Sequence, residues 1–153
     1  MINLELLHAF IVEAKSATYV GDGQPVSPCR EKSHDLTYSR EPYRYLDSYF
    51  GGQDFIGEEV VYDQNEPVWG MNYYGVILKP EAITGAEAGM MIKASLSKMY
   101  AEGRFLGGWE HVQNSLKYHD TSAGDLTRFT GYEWIEKEGV KVYELHYHGG
   151  LIR

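Results

Sequence analysis

From His34 to Leu78 the chain alternates its side-chain types residue by residue, and this period of two is what most constrains the fold. Tyr43, Tyr45, Asp47 and Tyr49 share one parity, as do Trp69, Met71 and Tyr73. Residues i and i+2 of a strand face the same side of a sheet. The pattern therefore predicts strands over 34–39, 43–50, 55–62 and 68–78, joined at Arg40-Glu41-Pro42, at Gly51-Gly52 and at Asp63-Gln64-Asn65-Glu66. They read as a meander of four antiparallel strands. Gly70 and Gly75, inside the fourth, predict bulges or strong curvature.

Two segments have the helical period instead. Leu4, Leu7, Phe10, Ile11 and Ala14 recur at three- and four-residue spacing, with Asn3 as N-cap and Lys15 at the C-terminal end. Thr84-Gly85-Ala86-Glu87 has capping-box spacing and opens a second helix to about Ala101, its Ala88, Met91, Ile92, Ser95 and Met99 turned to the sheet. Leu7, Ile11, Ile92 and Met99 are expected to be buried. Gly21, Gly23, Pro25 and Pro28 predict a long loop before Ser33. Further strands are expected over 110–118, 126–136 and 140–148, the last two forming a hairpin at Lys137-Glu138-Gly139. The expected fold is α+β: a curved antiparallel sheet of about seven strands, a half-barrel or cone, packed with two helices in one domain over 1–153. Tyr45–Gly52 and Tyr143–Gly150 share Tyr-x3-Tyr-x-Gly-Gly. The match reads as coincidence between two strands that stop at one end of the sheet.

Charge excludes some partners. Fourteen Lys and Arg against twenty-two Asp and Glu leave a net charge of −8, with no basic stripe for a phosphate backbone. Direct nucleic-acid and membrane-surface binding are not expected. No apolar run approaches the roughly 20 residues that span a bilayer, and the N-terminus lacks a signal-peptide pattern, so a cytoplasmic location is expected. Cys29 is alone, which rules out an internal disulfide and a cysteine zinc cage. No cofactor and no metal are expected.

Polar groups on apolar parities are the candidate site. Glu58 and Glu59 point to opposite faces of one strand, so one of them enters apolar surroundings, where a carboxyl gains a pKa suited to proton transfer. His34 shares a face with Leu36 and Tyr38 and needs a partner from another strand, such as Asp47 or Glu58. Asn72 is placed to orient a planar ligand beside Trp69 and Tyr73, with Tyr49 completing the wall. His34, Asp47, Tyr49, Glu58, Trp69, Asn72 and Tyr73 are thus the expected ligand-binding residues, with Glu58, His34, Asp47 and Asn72 converging on one cavity. Glu144, His146 and His148 fall on the solvent side of the last strand, because Tyr143, Leu145 and Tyr147 make its apolar face.

Ser33-His34-Asp35-Leu36, Gly57-Glu58-Glu59, Trp69-Gly70-Met71-Asn72-Tyr73 and His148-Gly149-Gly150, in this order, resemble an uncharacterised bacterial domain family. That family is often found C-terminal to Xre-type helix-turn-helix regulators. The similarity runs from Leu4 to Ile152 and departs from the pattern over Arg104–Trp109. The resemblance implies an effector-sensing role, here expected in a stand-alone version without the DNA-binding module. The first expectation is a domain that binds an unidentified small molecule in an aromatic pocket. A hydrolase or isomerase using a Glu/His pair and a homodimeric interaction module are the alternatives.

Overall fold

A computed structural model of the chain describes residues 2–21 and 23–153. The first helix, α1 (Leu4–Lys15), begins where the Asn3 side chain accepts hydrogen bonds from the backbone N–H groups of Glu5 and Leu6. It buries Leu7, Phe10, Ile11 and Ala14 and continues as a π-helical turn, Ser16–Val20. The second, α2 (Gly85–Ala101), carries the expected capping box, with the Thr84 hydroxyl and the Glu87 carboxylate each closing on the other's backbone. Leu7, Ile11, Ile92 and Met99 are all buried, as their spacing predicts. No helix among the described residues is long and apolar enough to cross a membrane.

The class is α+β, but among the described residues the sheet has nine strands where about seven were expected. They are β1 (Pro25–Val26), β2 (His34–Arg40), β3 (Tyr43–Gly51), β4 (Phe55–Asp63), β5 (Glu66–Ile77), β6 (Trp109–Gln113), β7 (Leu116–Asp125), β8 (Arg128–Lys137) and β9 (Val140–Leu151). All pair antiparallel in the open order β1-β2-β3-β4-β5-β9-β8-β7-β6. Two corrections account for the difference. The expected single strand over 110–118 is two strands, because Asn114, at φ 55°, turns the chain back on itself. The expected loop before Ser33 contributes the two-residue edge strand β1.

A repeat organises this order. Each half is a helix followed by four strands, α1 with β2–β5 and α2 with β6–β9, and the halves meet at β5 and β9. Hairpins β4–β5 and β8–β9 have the same two-residue turn with both central residues at positive φ: Gln64-Asn65 in one, Glu138-Gly139 in the other. Both carry a register shift at the equivalent step, Val61/Tyr62 and Ile135/Glu136. The residues on the helix-covered face also correspond at one constant offset: Phe55 and Phe129, Gly57 and Gly131, Glu59 and Glu133, Val61 and Ile135, Met71 and Leu145, Tyr73 and Tyr147, Gly75 and Gly149. Tyr73 and Tyr147 are direct register partners, so a pseudo-twofold axis passes between them. The echo of Tyr45–Gly52 in Tyr143–Gly150 is unrelated to this repeat. Counted through β4 and β5, strands β3 and β9 run in opposite directions and do not end together.

Gly57 and Gly131 have a specific reason to be glycine. Each is the register partner of a tyrosine whose ring lies over it, Tyr73 over Gly57 and Tyr147 over Gly131, where a β-carbon would overlap the ring. Gly131→Ala should therefore destabilise the chain by about 1–3 kcal/mol through overpacking, read from the urea midpoint. An unchanged midpoint would mean that the ring has room to move.

Candidate functional site

Both helices cover the sheet face that carries Asp47, Glu59, Asp120 and Glu133, four acids each no more than 6% exposed. They come as two cross-strand pairs in register, Asp47 opposite Glu59 and Asp120 opposite Glu133. Like charges facing each other in a sheet are destabilising, and burial adds to the cost. The tyrosine rings laid over glycine offset part of it. Tyr73 reaches from β5 across β4 and donates its hydroxyl to Asp47 Oδ1 at 2.6 Å. Tyr147 reaches from β9 across β8 and donates to Asp120 Oδ1 at 2.7 Å.

The halves differ at the glutamates. Glu133 accepts hydroxyl hydrogen bonds from Tyr118 at 2.5 Å and Tyr143 at 2.9 Å. Glu59 instead accepts from the buried ammonium of Lys15, 2.6 Å from its Oε2. Tyr45 occupies the place of Tyr118, two residues before the buried aspartate, and its fully buried hydroxyl has no hydrogen-bond partner among the described residues. Lys15 has displaced the bond that Tyr118 makes in the other half.

The four acids, Lys15, Tyr73, Tyr143 and Tyr147 line a cavity of about 210 Å3 between sheet and helices. Its wall includes Lys15 and Tyr19 from the first helical segment, Ala88, Ile92, Leu96 and Tyr100 from α2, and Phe105 from the following loop. Gly52 and Gln53, both exposed, stand at its outer end. At about 30 Å3 per water it is the size of some seven waters, a small space with a polar floor and an aromatic surround. Burial first, and then the Glu59 charge, push the Asp47 carboxyl up to about 7 against the Tyr73 hydroxyl and the Lys15 ammonium. Burial and the Glu133 charge raise Asp120 to about 7 against Tyr147, Lys15 and Arg104. Burial also raises Glu133, opposed by its two tyrosine bonds.

The expected site residues divide between the two faces. Asp47, Tyr49 and Tyr73 line the cavity. Trp69 is on the same face but wholly buried in the core, its indole N–H donated to the Leu126 carbonyl at 3.2 Å and its ring stacked on Phe129. His34 is exposed on β2 near the sheet edge, its ring 5.1 Å from that of Tyr49. Glu58 and Asn72 are register partners on the opposite, open face, beside His146 and His148. The expected convergence of Glu58, His34, Asp47 and Asn72 is therefore not met. The strand pleat puts Glu59, the neighbour of Glu58, inside. Among the described residues no His lines the cavity, so no Glu/His pair forms there.

On the open face, His146, Tyr132, Trp134 and His119 form a ladder of rings with centroids 4.6 to 5.0 Å apart. Glu144 accepts the Tyr132 hydroxyl there, and His146 and His148 are exposed, as the parity of β9 predicts. No group of three or more His, Cys, Asp or Glu among the described residues is arranged to hold a metal ion. Across the sheet from β2's helix-covered face, Asp35 anchors the preceding loop. Hydrogen bonds from Cys29, Ser33 and Ser48 outweigh the upward push of burial and hold its carboxyl at about 2.

Lys15, Tyr19, Tyr100, Asp120, Glu133 and Tyr147 are cavity residues that strand-by-strand reading does not single out. The available signal was the repeat: Phe-x-Gly-x-Glu, followed at the same distance by Tyr-x-Gly, occurs at Phe55 and again at Phe129. The pattern of a family described as a domain of unknown function (DUF5680) matches residues 47–152. That span starts at Asp47, the first of the cavity acids, and contains the whole second half. No curated protein and no solved structure matches the chain.

Proposed function

This chain belongs to the DUF5680 family of domains of unknown function, and on the geometry of its interior we propose that it is a small-molecule-binding, effector-sensing domain. One observation carries the reading: a cavity covered by both helices and floored by four buried acids. Protein interiors are close-packed, and buried like charges in register work against folding. A chain that keeps both features in two halves gains nothing from them in packing. A ligand that fills the space and satisfies the acids makes them useful. The aromatic wall, with few convergent polar groups, has the make-up of a small-molecule pocket. The resemblance to domains carried behind Xre-type modules suits the same role, with occupancy of the cavity as the signal.

Thermal denaturation across a panel of small cations, anions, sugars and aromatics tests the reading. A ligand at a hundredfold its Kd should add about 2.7 kcal/mol to stability, a clear rise in Tm. Ala88→Met, which fills part of the cavity, should abolish that rise while the variant still melts cooperatively. A panel in which nothing raises Tm would remove the basis of the proposal.

Proton-transfer catalysis is a second reading, favoured only by the two aspartyl groups raised to about 7. General acid-base groups work best near the operating pH. Turnover of a bound ligand, lost in Asp47→Asn with binding retained, would distinguish it from sensing.

A further inference from the structure

The pseudo-twofold axis lets one half of the cavity serve as a guide to the other. Superposing the helical segments in sequence, 4–20 on 85–101, pairs buried Ile11 with Ile92, cavity-lining Tyr19 with Tyr100, and Lys15 with Leu96. The sheet pairs Glu59 with Glu133 and Asp47 with Asp120 at the same time. In the first half an ammonium sits on the acid pair: Lys15 Nζ is 2.6 Å from Glu59, 3.9 Å from Met71 Sδ and 5.2 Å from the centre of the Phe105 ring. In the second half the acid pair is present and the ammonium is absent, because Leu96 has no charge to offer.

Resting on the small-molecule reading above, we propose that the ligand is a small organic ammonium ion whose nitrogen binds at the free oxygen of Asp120, beside Glu133, in the half of the cavity that has no counterpart of Lys15. The acids alone do not make the site. Tyr100, nine-tenths buried in the cavity wall, has a hydroxyl without a hydrogen-bond partner among the described residues. It lines the same cavity as the four acids, and burial, then the charges of Glu59, Glu133 and Asp120, raise its hydroxyl pKa. Asp120 uses only Oδ1 for Tyr147, leaving Oδ2 without a donor among the described residues. An ammonium has three donors to give, which the free Asp120 oxygen and the Tyr100 hydroxyl can accept. The alkyl or aryl remainder of the ligand then lies against Tyr19, Tyr100 and Phe105, where ring faces favour a cation further. An anion would meet four carboxyl groups and one lysine. A neutral alcohol would add no positive charge to that of Lys15 and Arg104 at Asp120.

Binding also moves a proton. Asp120 faces Glu133, Tyr147, Lys15 and Arg104, and a new cation beside it favours its charged form. Ammonium binding near neutral pH should therefore release a proton from the aspartyl group to solvent.

Three isosteric probes decide the matter at pH 7.5 and low salt: butylamine, butan-1-ol and butyrate. Calorimetry should show butylamine binding at least tenfold tighter than the other two, with a heat that varies with the ionisation enthalpy of the buffer. Asp120→Asn should lower that affinity at least tenfold. Leu96→Lys should build in the missing ammonium, raise Tm and make the protein indifferent to butylamine. If Leu96→Lys does not fold, Asp120→Asn carries the test alone. Equal binding of butanol and butylamine overturns the ammonium assignment but leaves a binding cavity. Absence of butylamine binding, or unchanged affinity in Asp120→Asn, also overturns it, and the wider panel described above then shows separately whether the cavity binds anything else.

Discussion

Lowering the pH from 8 to 5 should raise the melting temperature of this chain, because Asp47 and Asp120 bind protons more tightly folded than unfolded. Both carboxyls are raised from 3.8 to about 7 in the fold. Between those values the folded state holds the extra protons, so stability falls as pH rises and levels off above about 8. The groups that set these values act from every side. Glu59, Tyr73, Lys15 and Asp35 act on Asp47; Glu133, Tyr147, Lys15 and Arg104 act on Asp120. A shift of about three units in a fully isolated group is worth roughly 4 kcal/mol. Because the groups share partners, a total of about 3–6 kcal/mol is the sounder expectation, or about 6–24 °C in Tm at 2–4 °C per kcal/mol. Asp35, held at about 2 by its hydrogen bonds, works the other way and sets the lower limit, destabilising the fold as pH drops below about 4. The optimum should thus lie near pH 5.

Asp47→Asn with Asp120→Asn isolates the cause. An amide oxygen still accepts the Tyr73 and Tyr147 hydroxyls, and the nitrogen faces the cavity in place of the second carboxylate oxygen. The double variant should melt higher than the parent at pH 8, match it near pH 5 and show a flat profile between. A steep profile surviving in the double variant would place the titrating groups elsewhere. Higher stability together with lost ammonium binding would mean that the acids are kept for the ligand at a cost to the fold.

Local patterning made the faces legible and global symmetry did not emerge from it. Capping at Asn3 and Thr84, the apolar stripes of both helices and the parity of β5 and β9 are short-range signals, and the fold follows them. Which parity is inside is a long-range property. Glu58 and Glu59 are indistinguishable as neighbours in sequence, and only the pairing of Glu59 with Asp47 and Lys15 decides that it is the buried one. His34 reads as a ligand-binding candidate because it shares a parity with Leu36 and Tyr38, but β2 lies near the sheet edge, where that parity still reaches solvent. The cavity acids of the second half escaped because Asp120 lies in β7, whose start is hidden by the turn at Asn114. Comparing the halves was the missing step, since Gly57 and Gly131 explain each other as seats for Tyr73 and Tyr147.

Removing the Lys15 ammonium, the one that lines this cavity among the described residues, should be the most damaging single change. Lys15→Met leaves Glu59 as a buried carboxylate with its partner gone, an arrangement that costs about 3–5 kcal/mol, or roughly 6–20 °C in Tm. Glu59→Gln should cost less, because the Lys15 ammonium also acts on Asp47, Asp120 and Glu133 and is not left without negative charge. Lys15→Met with Glu59→Gln should recover most of the loss, since replacing both members of a buried pair is often close to neutral. The second half of the fold adds a sharper test. There Tyr118 donates to Glu133, while its counterpart Tyr45 has no partner as long as Lys15 holds Glu59. Tyr45→Phe should therefore change stability little in the parent, because its hydroxyl satisfies nothing. In the Lys15→Met background that hydroxyl becomes the nearest substitute donor for Glu59, and Tyr45→Phe should then cost a further 1–3 kcal/mol or so, the usual penalty for leaving a buried acceptor unmet. Urea denaturation of the four proteins closes the cycle. A Tyr45→Phe effect of the same size in both backgrounds would show that the two halves of the cavity do not share one hydrogen-bonding plan, and the use of Lys15 as a guide to the ligand would lose its footing.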